Sequence, residues 1–151
     1  MGYDLYRENE SIDGEQTIND YFRWNIWGFP PIFALGELYG WKPMGCISSP
    51  WTDDEGVEHE EEEMGYFSND GQTVCGLDAQ NWANALKKAV KELTTSNVEK
   101  THEFNDEFWA NRTAIRNGDK GAIHSWFNND DSIQYIRDYI TFLEGGSFNI
   151  C

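Results

Sequence analysis

Tyr21-Phe22-Arg23-Trp24-Asn25-Ile26-Trp27-Gly28-Phe29-Pro30-Pro31-Ile32-Phe33-Ala34-Leu35-Gly36-Glu37-Leu38-Tyr39-Gly40-Trp41 is the stretch on which the fold turns. It holds three of the seven Trp, and its only charges are Arg23 and Glu37 in a protein of net charge -16. From Tyr21 to Trp27 the residues alternate. Phe22, Trp24 and Ile26 share one face, and Tyr21, Arg23, Asn25 and Trp27 share the other, which is the period of a strand. Gly28 to Pro31 turns the chain. Pro30 and Pro31 suit the first turn of a helix, where no amide hydrogen is needed. Ile32, Leu35, Leu38 and Tyr39 follow at helical spacing, and Gly40 is a natural stop. A helix of only about ten residues is marginal by propensity, so packing must hold it. The core is therefore expected to form on this segment.

Working outward, Tyr3 to Tyr6 alternates and predicts a first strand, joined to the second by a polar connection over 8–20. On the other side, residues 42–72 are broken by Pro43, Gly45, Pro50 and Gly56. The spacing predicts an exposed, mobile acidic loop over 52–63, where like charges repel and no apolar period docks the chain. Met64 to Phe67 reads as a short strand, Asn69-Asp70-Gly71 as a turn, and Thr73 to Cys75 as its hairpin partner. Residues 78–93 carry a continuous apolar stripe of Trp82, Ala85, Leu86, Ala89, Val90 and Leu93, the mark of an amphipathic helix. Asp78 is placed to cap it and Leu77 to staple onto Trp82. Further helices are expected near 105–118 and over 132–144, with a helical turn between, and Ser147 to Cys151 as a closing strand. These periods predict an α+β fold: a small, mainly antiparallel sheet packed by three to four helices, in a single domain spanning 1–151.

The balance is 27 acidic to 11 basic residues. Such a field repels nucleic acid and anionic membrane, and attracts basic protein surfaces or cations. Direct nucleic-acid binding is therefore not expected. No apolar run approaches the roughly 20 residues of a membrane span. The cysteines, Cys46, Cys75 and Cys151, are odd in number and not closely paired in sequence, which points to free thiols and a cytoplasmic setting. No phosphate-binding glycine loop, nucleophile elbow or zinc-ligand spacing occurs, so no cofactor and no metal are expected from known patterns.

Three groups of residues stand out as binding candidates. Trp109, Arg112 and Arg116 share a face of an expected helix, and His124 continues the step if the helix runs past Gly118. A guanidinium grips a phosphate or carboxylate, and an indole stacks on a flat base, so this group fits a nucleotide-like small ligand. The competing account puts Trp109 in the core and pairs the arginines with nearby acids. Arg23 and Trp27, on the outer face of the second strand, form a second possible docking patch; the alternative is a ring-packed core with Arg23 stacked on an indole. The acid run Asp53, Asp54, Glu55, Glu58, Glu60 and Glu61 suits a basic partner, or is a solvated loop. It lacks calcium-loop spacing.

Met1-Gly2-Tyr3-Asp4-Leu5-Tyr6 and Ala122-Ile123-His124-Ser125-Trp126-Phe127 resemble pieces of small uncharacterised phage and bacterial proteins. The resemblance implies a phage or bacterial accessory protein and assigns no functional residues. The leading expectation is a non-catalytic acidic protein that neutralises a basic target by sequestration, as phage counter-defence and toxin-immunity proteins do. The alternatives are a sponge for a nucleotide-like signal and an enzyme of unrecognised type.

Overall fold

A computed structural model describes residues 2–7, 20–47, 50–68, 71–95 and 112–151. Strand β1, Gly2–Arg7, pairs antiparallel with β2, Tyr21–Asn25. On its other side β1 pairs with β8, Phe148–Ile150, which in turn pairs with β7, Gln72–Val74. The sheet order is β2-β1-β8-β7, all antiparallel. Between β2 and β7 lie helix α1, Phe29–Leu38, and the two-residue strands β3 (Cys46–Ile47), β4 (Trp51–Thr52), β5 (Glu58–His59) and β6 (Glu63–Met64). Helices α2, Gly76–Thr95, α3, Lys120–Phe127, and α4, Asp130–Glu144, lie between β7 and β8. The fold is α+β, as the periods predict.

Period-2 burial holds in β2, β7 and β8. Phe22 and Trp24 are buried while Arg23 and Asn25 are exposed. Leu5, Val74, Phe148 and Ile150 are fully buried. Strand β2 stops two residues earlier than the alternation suggests. Asn25 Oδ1 accepts from Trp27 N at 3.1 Å and Gly28 N at 2.6 Å, a side-chain turn that competes with the ladder. Proline then opens α1, and Gly40 at φ +97° ends the turn after it.

The core is built of rings around Trp82, which is fully buried. Trp41 stacks on it at 4.1 Å with planes 6° apart, and Tyr139 meets it edge-on at 5.1 Å. Tyr139 also meets Phe22 and Trp24, so α4 seals β2. Alanines at 79, 83, 85 and 89 keep the buried face of α2 low, which lets α1 and α4 approach. Arg7 closes the far end of α4. It donates to Phe142 O and, at 2.7 Å, to Gly146 O, while its guanidinium lies 4.3 Å over the Phe142 ring. Phe142 O, in the last turn, also accepts from Gly145 N at 3.1 Å, and a cation at this end is favoured by the helix dipole. Burial lowers the pKa of Arg7. A Cβ on Gly145 would crowd the same guanidinium and displace it.

Four expectations fail here, and a fifth lies largely outside the described residues. Val74 pairs with Phe148, not with 64–67, because the buried edge of β8 offers β7 a longer ladder; Met64 pairs instead with Cys46. Helix α2 starts at Gly76, so Asp78 lies inside its first turn and is fully buried rather than capping. Leu77 is 65% exposed and staples nothing. The expected helix over 105–118 is described only at 112–116, which is helical. The last helix begins at Asp130, earlier than 132, because Asn129 caps it by accepting from Ser132 N at 2.8 Å.

Candidate functional site

The stretch read as an acidic loop holds regular structure. Asp53 organises it. Its Oδ1 accepts from Glu55 N at 3.0 Å and Val57 N at 2.9 Å, and its Oδ2 from His59 Nε2 at 3.0 Å. Gly56, at φ +82°, supplies the left-handed corner. The hairpin β4–β5 then sets Trp51 opposite His59, with the two rings stacked at 4.2 Å and 11°. The hydrogen bond from His59, then that from Val57 N, hold the Asp53 carboxyl below its ordinary pKa. Asp53 is thus spent on the turn and is not a free docking acid. Asp54, Glu55, Glu58, Glu60 and Glu61 are exposed. Trp51 is 53% exposed, and together with Pro50, Glu58, Glu60 and Glu61 it lines an open groove. An exposed indole beside several carboxylates is suited to a cationic side chain, which gains from both the ring face and the negative field.

The predicted ring-and-cation group is dispersed. Arg112 lies 4.7 Å over the ring of Trp27, which is 43% exposed. Trp109 falls outside the described residues. Arg116 is exposed. The helical step toward His124 is broken at Gly118, φ +79°, after which Asp119 caps α3 by accepting from Ala122 N at 2.9 Å. Arg23 is exposed and sits 3.9 Å from Asp4, on the sheet face and apart from the hairpin.

His124 is buried in a different cluster. Its Nε2 is 2.7 Å from the Tyr39 hydroxyl, which donates to Glu92 Oε2 at 2.7 Å; Lys120 Nζ holds Glu92 Oε1 at 2.7 Å. Tyr39 has one hydroxyl proton. Since that proton serves Glu92, Nε2 of His124 carries the hydrogen that Tyr39 accepts. The chain of bonds fastens α3 to α1 and α2. Burial lowers the pKa of His124, with Glu92 opposing and Lys120 adding to the shift. Burial, then Glu92, raises that of Tyr39. A lowered imidazole pKa means the fold favours the neutral ring. That stability is complete above about pH 6.5, the ordinary imidazole value, and is lost as pH falls through the folded pKa. Urea midpoints taken between pH 7.5 and pH 5 should therefore fall more for the wild type than for His124→Asn.

Reading from sequence also missed the centre formed by Asp78. Its Oδ1 accepts from Trp41 Nε1 at 2.9 Å, and its Oδ2 accepts from Met44 N at 3.0 Å and from the Tyr66 hydroxyl. Burial first, then Asp78, pushes the Tyr66 phenol far above its ordinary pKa. Among the described residues no group of three His, Cys, Asp or Glu side chains is placed to hold a metal ion. No helix of the described residues is long and apolar enough to cross a membrane. No family model matches the chain, and neither a curated protein nor a solved structure does.

Proposed function

We propose that the chain is a non-catalytic acidic binding protein that neutralises a target by covering a basic protein surface, in the manner of phage counter-defence or toxin-immunity proteins. The observation that supports this reading is the hairpin 51–59. It presents a half-exposed Trp51 among Glu58, Glu60 and Glu61, and Asp53 and His59 fix its shape before any partner arrives. Pre-ordering lowers the entropy that binding must overcome. Indoles at the centre of an interface are common anchors, and surrounding carboxylates steer a basic partner in. The charge of the whole chain, -16, extends that field.

The test is capture from a bacterial extract at low salt, followed by affinity measurements on the purified pair. A basic protein should be retained. Trp51→Ala should weaken the purified pair by about 2 kcal/mol, or roughly thirtyfold. Glu58→Gln with Glu60→Gln and Glu61→Gln should slow association and flatten its dependence on ionic strength. Binding that ignores salt and all four substitutions would sink the reading. The exposed Trp27 under Arg112 favours a second reading, a sponge for a nucleotide-like ligand. Native mass spectrometry with nucleotide mixtures separates the two. A captured small mass that Arg112→Ala abolishes would move the function there.

A further inference from the structure

We propose that the residue this chain takes from its partner is arginine, and that the free face of the Trp51 ring is the stacking site for its guanidinium. The proposal rests on the reading that the hairpin 51–59 covers a basic protein surface, and it names the chemistry recognised there. Trp51 and His59 are cross-strand partners on β4 and β5, and their rings lie 4.2 Å apart with planes 11° apart. His59 therefore covers one face of the indole. Trp51 is still 53% exposed, which leaves the other face in solvent. Among the described residues no second ring or cation stacks on it. The ring is also held in place. Asp53 Oδ2 bonds His59 Nε2 at 3.0 Å, while its Oδ1 holds the amides of Glu55 and Val57. The turn thus fixes the imidazole, and the imidazole fixes the plane of the indole.

Shape and charge together select a guanidinium. The open face is flat and one-sided. A planar cation continues the His59–Trp51 stack with its whole surface, whereas an ammonium is a compact, strongly hydrated point charge that gains less from such a face. Glu58, Glu60 and Glu61 line the same groove, and no Lys or Arg does. A guanidinium lying on the ring directs its N–H donors outward in its own plane, where they can fork onto carboxylates. An anion is repelled by those acids and by the charge of the whole chain, -16. An uncharged ring could stack but would gain nothing from the carboxylates. The groove is open and measures about 710 Å³, more than one side chain fills. The arginine can therefore arrive on a loop or an extended segment of a folded partner, with no narrow mouth to enter.

The experiment titrates the full chain, labelled with nitrogen-15, with hexaarginine and with hexalysine at low salt. The two peptides match in length and charge and differ only in the cation. The indole N–H resonance of Trp51, identified by its absence from Trp51→Phe, reports the ring. Hexaarginine should shift that resonance and bind about fivefold or more tighter than hexalysine. Trp51→Phe keeps a flat ring and should keep the preference; Trp51→Leu should erase it. Equal affinities in the wild-type chain, or a preference that Trp51→Leu leaves intact, would overturn the proposal. The wild-type comparison needs no variant to fold. Equal affinities that still weaken with salt and with Glu58→Gln, Glu60→Gln and Glu61→Gln would remove the arginine site alone and leave the basic-surface reading standing. If neither peptide disturbs the hairpin, both fall.

Discussion

Asp78→Ala is expected to lower the unfolding free energy by about 3–5 kcal/mol, which for a chain of this size is roughly 10–15 °C in Tm. The side chain is fully buried and accepts three hydrogen bonds, from the Trp41 indole, the Met44 amide and the Tyr66 hydroxyl. Removing it takes the acceptor from all three; the Trp41 indole is left unsatisfied in the core, while the Tyr66 hydroxyl keeps the Gly45 carbonyl at 3.1 Å, and each donor left unsatisfied costs about 1–3 kcal/mol. Partial relaxation of residue 44, near the surface, keeps the total below the sum. Tyr66→Phe deletes one donor and leaves Asp78 its other two, so it should cost about 1–2 kcal/mol. Urea unfolding followed by circular dichroism measures both. A loss under about 1 kcal/mol for Asp78→Ala would mean that the centre is not what ties the 41–46 segment to α2. Because that segment leads into the hairpin 51–59, the same variant should also weaken partner capture.

Where one face of an element is buried and the other wet, the sequence was readable. Phe22 and Trp24 against Arg23, and the stripe from Trp82 to Leu93, each follow a period that the structure keeps. Prolines in the first turn of α1 and Gly40 after it set that helix to within a residue or two. Long-range pairing was not readable. Strand β7 is three residues long and has no partner preference of its own; β8, at the other end of the chain, provides the edge. Asp78 shows a second limit. An acid at a helix start looks the same whether it caps or is buried, and only the arrival of Trp41, Met44 and Tyr66 decides. The acid run misled in the opposite sense. Repulsion argued for an exposed, mobile loop with nothing to dock it; the acids are exposed, yet one of them, Asp53, folds the turn by binding backbone amides and His59. Among the binding residues, helical spacing joined Arg112 to His124 across Gly118, and the left-handed backbone there separates them. The Trp27–Arg112 contact crosses elements, which no spacing rule reaches.

Replacing Trp82 by alanine should cost about 3–5 kcal/mol, since a buried indole of this size leaves a cavity that its neighbours cannot fill. It touches Trp41, Phe29, Phe33 and Tyr139, so both α1 and α4 lose their common support. The fit is close on the α1 side. A Cβ on Gly36 would fall 2.6 Å from Trp82 Nε1 and 2.9 Å from the Trp41 ring, and Gly36→Ala should itself cost about 1–3 kcal/mol by overpacking. The two changes share one space and should not add. In a Trp82→Ala background the extra methyl enters the cavity, so Gly36→Ala should become nearly neutral there, with a coupling of about 1–3 kcal/mol in the double-mutant cycle. Trp82→Phe separates shape from polarity. The indole nitrogen is buried and has no hydrogen-bond partner, so phenylalanine removes an unsatisfied donor while keeping much of the ring. Its cost should fall below about 2 kcal/mol, well short of the alanine value. Additive losses for Gly36→Ala and Trp82→Ala, or equal losses for Trp82→Phe and Trp82→Ala, would contradict a core organised by the volume of this one ring. The same denaturation series, run on the four variants at a single pH, decides it.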